Sequence, residues 1–208
     1  MTARQPMYGN QPTSRRQRLD GRQPMTEKQP MAGGRPMPEE QPMPEASKRP
    51  IHIGHLIVAI ALPLAVGGVS ALLTSDAMAQ FGRMNQPPLS PPAWLFPVAW
   101  TILYVLMGIA SYLIWSREGL DLMGKLDRRR ALIVYGLQLA LNFCWSLVFF
   151  GAKAYYPAFG ILVAMWLLIV LLMLFARKLS RPAMYLLVPY LLWTTFAGYL
   201  NLGVALLN

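Results

Sequence analysis

The chain has 208 residues, of which 55% are hydrophobic and 13% are charged, and its formal net charge is +10. So apolar a composition excludes an ordinary soluble domain of this length and indicates a protein with several membrane-spanning segments. The sequence contains no Cys/His metal-ligand spacing, no phosphate-binding loop and no dinucleotide-binding fingerprint, so we expect no metal, no obligatory cofactor and no nucleic-acid partner.

Residues 1–50 differ from the rest of the chain because they contain no apolar run. A Pro-Met pair recurs there every six residues, after Gln23, Gln29, Arg35 and Gln41. Proline at this density removes helix hydrogen bonds and no apolar face is available for burial, which predicts a disordered, locally extended cytoplasmic tail. Two roles remain open: a solvated linker, or a docking arm for anionic lipid or a partner, since the tail has nine basic and five acidic residues.

Residues 51–208 are predicted to form an all-α integral membrane bundle of five transmembrane helices. A hydrocarbon core about 30 Å thick needs roughly 20 apolar residues in a helix that rises about 1.5 Å per residue. In lipid every backbone amide has to be satisfied internally, which favours helices, and the strand alternation of an outer-membrane barrel is absent from the sequence. Apolar stretches of the necessary length occur at about residues 52–74, 93–115, 131–150, 155–176 and 183–207.

The basic residues between these spans predict the orientation. The loops at 116–130 and 177–182 contain eight Lys or Arg residues, whereas the opposite side has only Arg83 and Lys153. By the positive-inside rule the N-terminus is cytoplasmic and the C-terminus lies outside. The pattern favours a bacterial inner membrane, and an outer membrane is the alternative.

Ionisable residues are nearly absent from the predicted spans. The acidic residues outside the tail, Asp76, Glu118, Asp121 and Asp127, all fall in predicted loops. Catalysis or proton transport inside a bilayer needs buried ionisable groups, so the sequence argues against a hydrolase or a proton-coupled transporter.

The chain has two histidines and one cysteine. His52 and His55 are three residues apart on one helix face, so they either ligate a haem iron or mark the headgroup boundary where the first helix begins. Cys144 is solitary in an apolar helix and is predicted to be an inert packing residue.

Aromatic and amide side chains recur at helical spacing on three of the spans. Residues three or four apart share one face of a helix, so each set forms a stripe. The stripes either pack helix against helix, with amides hydrogen-bonding across the bundle, or line an apolar cavity with a few orienting donors. They comprise Phe96, Trp100 and Tyr104; Gln138, Asn142 and Trp145; and Tyr190, Trp193, Ala197 and Asn201.

Three segments in these spans resemble the signature segments of a known family. They read PPLSPPAWLFPVAWTILYVLMGIASYLIW, QLALNFCWSLVFFG and LLVPYLLWTTFAGYLN, in this order along the chain. They look like the signatures of the TspO/MBR family, which includes the tryptophan-rich sensory protein and the mitochondrial translocator protein, and the resemblance extends from about Pro63 to Asn208. It implies a five-helix membrane bundle that binds porphyrins, such as protoporphyrin IX and haem, or similar flat apolar molecules.

The resemblance also implies which residues form the site. Pro91 and Pro92, followed by Trp94, would fix a loop that covers it. The family has a Trp-Tyr pair ahead of this loop, where the present chain has Gln80-Phe81. The implied ligand-binding residues are Trp100, Tyr104, Asn142, Trp145, Trp193, Ala197, Leu200 and Phe81, with Trp100 and Asn142 as hydrogen-bond donors.

The function that follows from the resemblance is a membrane receptor or sensor acting in tetrapyrrole-linked or stress responses. A tetrapyrrole transporter, an enzyme that degrades porphyrins in light and a ligand-independent membrane scaffold are the alternatives. The scarcity of intramembrane ionisable groups favours a receptor over an enzyme.

A small-residue ladder on the third span bears on oligomeric state. Gly136, Ala140 and Cys144 are spaced four residues apart, so this face allows another helix to approach closely. That helix belongs either to the same bundle or to a second copy. The resemblance to a family that forms dimers favours a homodimer with Gly136 and Ala140 at its face.

Overall fold

The computed structural model describes residues 51–75 and 84–208. The tail and the segment 76–83, including Gln80, Phe81 and Arg83, lie outside the described residues, so the predictions made for them stay predictions. The described part confirms an all-α fold with five helices long and apolar enough to cross a membrane. They are α1 (Ile53–Leu73), α2 (Leu95–Trp115), α3 (Leu122–Ser146, continued by a π-helical turn Leu147–Gly151), α4 (Tyr155–Leu179) and α5 (Arg181–Leu207).

Helix α3 begins nine residues earlier than the apolar run that predicted it, at Leu122 instead of about residue 131. The carboxylate of Asp121 accepts a hydrogen bond from the Gly124 backbone N–H at 2.8 Å, which caps the helix. The apolar run marks only the part that can lie in hydrocarbon, and the charged residues ahead of it continue the same helix. The loop expected at 116–130 is therefore much shorter.

The placement of Asp127 in a loop is wrong, because this residue lies in the second turn of α3. Its carboxylate is 3.6 Å from the Arg130 guanidinium and 3.5 Å from the Lys178 ammonium near the end of α4. Both basic partners are more than half exposed, so these pairs contribute little to stability. They mark the basic end of the bundle, where α3 and α4 meet.

The helices form a closed ring in the order α1, α2, α5, α4, α3. Its buried side chains come mainly from α2 to α5, which surround an apolar core that contains Met107, Met165, Ile169 and Leu187. Helix α1 is the peripheral element, since only Pro63 and Ser70 are buried within it. A wall that buries so little of its surface costs less to displace than the other four helices.

The backbones of α1 and α2 pack closely together at Gly108. A Cβ atom on this glycine would lie 2.6 Å from Ile60 Cα and 2.7 Å from the Ala59 carbonyl oxygen. Pro63, four residues after Ala59, has no N–H to donate to that carbonyl. The absence of a side chain at position 108 therefore lets the α2 backbone pack directly on the point where the α1 ladder is interrupted.

The described part of the α1–α2 loop is fastened to the C-terminal end of α5. Asn85 and Asn208 exchange hydrogen bonds of 3.3 and 2.9 Å, and the Tyr199 hydroxyl donates to the Pro88 carbonyl at 2.8 Å. Pro87 is buried against Gly203, where a Cβ would lie 2.6 Å from the proline ring. These contacts fix the described part of the loop against the C-terminal end of α5, and the chain continues from there into α2.

Candidate ligand site

A cavity of about 80 Å³ lies between α1, α2 and the end of α3. The walls are mostly apolar, and none of the lining residues that the structure describes carries a formal charge. Three lining residues come from α1 and Thr74 directly follows that helix, four come from α2, and three come from α3 with its π-helical turn: Gly67, Ser70, Ala71; Thr74; Phe96, Pro97, Trp100, Tyr104; Trp145, Ser146, Phe150.

Trp100 is the centre of the aromatic wall. Its ring centroid lies 5.5 Å from that of Tyr104, 6.3 Å from that of Trp145 and 6.3 Å from that of Tyr190. These separations are typical of offset and edge-to-face aromatic pairs. Three helices, α2, α3 and α5, thus bring their predicted stripes together around one indole.

Two tyrosine hydroxyls join the stripes by buried hydrogen bonds. Tyr104 on α2 donates to Asn142 Oδ1 on α3 at 2.7 Å, and Tyr190 on α5 donates to Gln138 Oε1 on α3 at 2.6 Å. Asn142 and Gln138 are one helical turn apart and at most 1% exposed. Each amide therefore uses its oxygen to accept a hydroxyl proton from a neighbouring helix.

Trp145 is held by a third amide. Its indole Nε1 donates to Asn201 Oδ1 at 3.0 Å, and Asn201 Nδ2 donates to the Tyr155 carbonyl at 2.8 Å. The Trp145 ring also stacks on Phe149 of the π-helical turn, with centroids 5.2 Å apart. The irregular turn thus places two aromatic rings beside the cavity, as π-helical insertions at functional sites often do.

Three buried nitrogens, Gln138 Nε2, Asn142 Nδ2 and Trp193 Nε1, have no hydrogen-bond partner among the described residues, and neither has the buried Tyr135 hydroxyl. Leaving such a group unpaired costs about 1–3 kcal/mol, so buried polar groups normally find a partner. All three are pure donors, and the arrangement therefore suits a molecule that supplies acceptor atoms.

The structure separates the residues predicted for the site into two groups. Trp100, Tyr104 and Trp145 line the cavity, and Asn142 lies directly behind Tyr104. The others are not among the lining residues: Trp193 on α5 contacts the cavity residue Phe96 with centroids 6.1 Å apart, Ala197 and Leu200 are buried in α5, and Pro91, Pro92 and Trp94 lie in the loop before α2.

The α1 wall is the part of the cavity that sequence reasoning missed. A Cβ atom on Gly67 would lie 2.6 Å from Tyr104 Cζ, so the tyrosine ring packs flat on this glycine. Ser70 and Thr74 follow on the same face, and the Thr74 hydroxyl donates to the Ser70 carbonyl at 2.9 Å. Small and hydroxyl residues at spacings of three and four in an apolar helix were the available signal.

The histidines and the cysteine lie away from the cavity. His55 stacks on Trp115 with centroids 4.6 Å apart, and the His52 backbone N–H donates to the Tyr112 hydroxyl at 3.1 Å. Cys144 is exposed, so its interpretation as a packing residue is wrong. The sequence showed an apolar helix at this position but not which side of it faces outward.

The small-residue ladder faces outward with Cys144. Gly136 and Ala140 line an apolar groove of about 520 Å³ between α1 and α3. A Cβ atom on Gly136 would meet nothing within 4 Å. The ladder therefore does not pack against a helix of its own bundle at this position.

Five helices long and apolar enough to cross a membrane, with an aromatic cavity between α1, α2 and α3, define an integral, multi-pass membrane protein. Residues 59–207 match the model of the TspO/MBR family, and the chain belongs to this family. It is 36% identical over 158 residues to the tryptophan-rich protein TspO of Chlorobaculum tepidum, which covers 74% of this chain and 95% of that protein.

Other relatives span bacteria and animals. The tryptophan-rich sensory protein of Cereibacter sphaeroides is 37% identical over 152 residues, covering 73% of this chain and 88% of that protein. The translocator protein of Ovis aries is 37% identical over 124 residues, covering 58% of this chain and 70% of that protein.

Proposed function

We propose that this protein is a membrane receptor that binds a porphyrin, such as protoporphyrin IX or haem, or a similar flat apolar molecule, and couples its binding to tetrapyrrole-linked or stress responses. The observation that carries the proposal is a cavity walled by Trp100 and Trp145 with the unpartnered donors of Asn142 and Trp193 nearby. Apolar walls with few polar groups are the common form of a small-molecule site.

The physical basis of binding is burial of a flat ring system between aromatic side chains. Each Å² of apolar surface removed from water contributes about 25 cal/mol, and aromatic pairs add about 0.5–1.5 kcal/mol. The unpartnered amide of Asn142 and indole of Trp193 can donate to acceptor atoms of the ligand. Ligand acceptors would satisfy donors for which the described residues provide no partner.

The size of the cavity implies that a wall moves when such a ligand binds. Drug-sized ligands occupy pockets of roughly 300–1,000 Å³, several times the cavity volume of about 80 Å³. The α1 wall from Gly67 to Thr74 is the part we expect to yield, because α1 buries the least surface of the five helices. Its displacement opens the cavity toward the bilayer, from which an apolar ligand would come.

The uncharged cavity favours a receptor over a proton-coupled transporter. A transporter of that kind needs ionisable groups along its path, and none of the described residues lining the cavity is Asp, Glu, Lys, Arg or His.

Titration with protoporphyrin IX tests the proposal. We expect saturable quenching of tryptophan fluorescence and a rise in the thermal unfolding temperature, because a ligand that binds only the native state stabilises it. Trp193→Ala should weaken binding, since it removes an aromatic face and a free donor. If the full-length protein shows an unchanged unfolding temperature and no saturable fluorescence quenching, the proposal fails and a ligand-independent scaffold is favoured.

We also propose that the basic end of the bundle, where Asp127 meets Lys178, faces the cytoplasm. In a Cys144→Ser background, a cysteine replacing Lys153 should react with a membrane-impermeant maleimide in intact cells. A cysteine replacing Arg181 should react only after the membrane is opened. The reverse pattern would contradict this orientation.

We further propose that the groove beside Gly136 and Ala140 is the face of a homodimer. Cys144 is exposed on this groove, so a symmetric dimer brings two copies of it together. Oxidation should give a disulfide-linked dimer in membranes, and Gly136→Leu should abolish it by filling the groove. A monomer that resists oxidation at all protein densities would exclude this face.

A further inference from the structure

Asn201 connects three helices beside the cavity. It lies in α5, accepts the indole N–H of Trp145 from α3 at 3.0 Å, and donates to the carbonyl of Tyr155, the first residue of α4, at 2.8 Å. The side chain is 0% exposed.

We propose that Asn201 is a positioning residue of the ligand site, which fixes the Trp145 ring as a wall and withholds its N–H from the ligand. This inference rests on the proposed binding of a ligand at the cavity. Trp145 lines the cavity with its ring, but its only polar hydrogen is already used within the protein. Hydrogen bonding to ligand acceptors is therefore left to Asn142 and Trp193, whose donors are unpartnered.

The surroundings of Trp145 explain why one amide suffices to fix the ring. Phe149 stacks on one side of the indole, with centroids 5.2 Å apart and planes inclined by 23°. Phe149 in turn meets the Tyr155 ring, with centroids 5.3 Å apart. Stacking limits the tilt of the indole, and the bond to Asn201 holds its Nε1 edge toward α5.

Asparagine is suited to this position because it offers an acceptor and a donor on one planar group. Leucine has a similar branched shape, is larger and offers neither, so Asn201→Leu frees the indole N–H. Aspartate keeps an acceptor oxygen for the indole, so Asn201→Asp should retain the bond to Trp145. Thr194→Val is a matched control, because Thr194 is equally buried in α5 and its hydroxyl bonds only to carbonyls of its own helix.

Proton–nitrogen NMR of the full chain labelled with [¹⁵N]tryptophan in lipid nanodiscs tests the proposal. The six tryptophans give six indole resonances, and Trp145→Phe and Trp193→Phe assign two of them. Without ligand, the Trp145 resonance should move upfield and exchange faster with solvent in Asn201→Leu, and should stay near its wild-type position in Asn201→Asp and Thr194→Val. A Trp145 resonance unchanged in Asn201→Leu overturns the proposal.

Addition of protoporphyrin IX completes the test. In the wild type the indole resonance of Trp193 should shift by more than that of Trp145, and in Asn201→Leu the Trp145 resonance should become ligand-responsive. An equally large shift of Trp145 in the wild type overturns the claim that its N–H is withheld. If no indole resonance responds in any variant, the proposed porphyrin binding fails, while the ligand-free spectra still decide whether Asn201 fixes Trp145.

Discussion

Ala197→Phe should weaken protoporphyrin IX binding by about fivefold or more. Ala197 is buried in α5 and lies four residues from both Trp193 and Asn201, so it shares their face of the helix. A phenyl ring there crowds the face of α5 that carries Trp193 and Asn201, and overpacking a core costs about 1–3 kcal/mol. Each 1.4 kcal/mol corresponds to a tenfold change in affinity. The dissociation constant from fluorescence titration measures the effect.

Ala164→Phe is the matched control for this substitution. Ala164 lies in α4 and is exposed on the outside of the bundle, so the same added ring enters lipid and not the interior. It should bind like the wild type. Wild-type affinity in a correctly folded Ala197→Phe protein would show that α5 does not contribute to the site.

Gly108→Ala should lower the thermal unfolding temperature by roughly 2–12 °C, since overpacking costs about 1–3 kcal/mol and each kcal/mol shifts that temperature by about 2–4 °C in a protein of this size. The added methyl group would lie 2.6 Å from Ile60 Cα and 2.7 Å from the Ala59 carbonyl oxygen. Backbone atoms cannot swing aside as a flexible side chain can. Helices α1 and α2 would therefore have to separate.

Gly160→Ala is the control, for which we expect no fall in the thermal unfolding temperature. A Cβ atom at Gly160, inside α4, meets nothing within 4 Å. Alanine stabilises an exposed helix interior by about 0.5–1 kcal/mol relative to glycine, so its unfolding temperature should stay the same or rise. Equal losses in the two variants would indicate a general intolerance of alanine and would remove the argument from close packing.

The sequence predicted the five membrane spans well because the thickness of the hydrocarbon core determines how long an apolar helix has to be. The ends of the helices were less predictable. Helix α3 continues to Leu122 through Lys125 and the arginines beyond it, because charged residues outside the lipid are compatible with a helix. Hydropathy reports where lipid ends and says little about where the helix ends.

In the site, too, local features were predictable from the sequence and contacts between helices were not. Spacings of three and four residues placed Trp100 with Tyr104, and Asn142 with Trp145, on single helix faces, which is a local property of the chain. The pairing of Tyr104 with Asn142 and of Trp145 with Asn201 depends on distances between helices, at separations of 38 and 56 residues along the chain. Sequence spacing within one helix contains no information on such contacts.

The sequence by itself therefore determined that this is a membrane protein, the number of its helices, and the aromatic and amide stripes. The length of an apolar run and the helical spacing of residues are properties of short stretches of the chain. Only the tertiary structure decided that α1 closes one side of the cavity and that Cys144 faces outward. It also decided that the indole N–H of Trp145 donates to Asn201, whereas the indole N–H of Trp193 has no partner among the described residues. Hydrogen-bond partners in a bundle are chosen by the packing of helices, which brings together residues far apart in the chain.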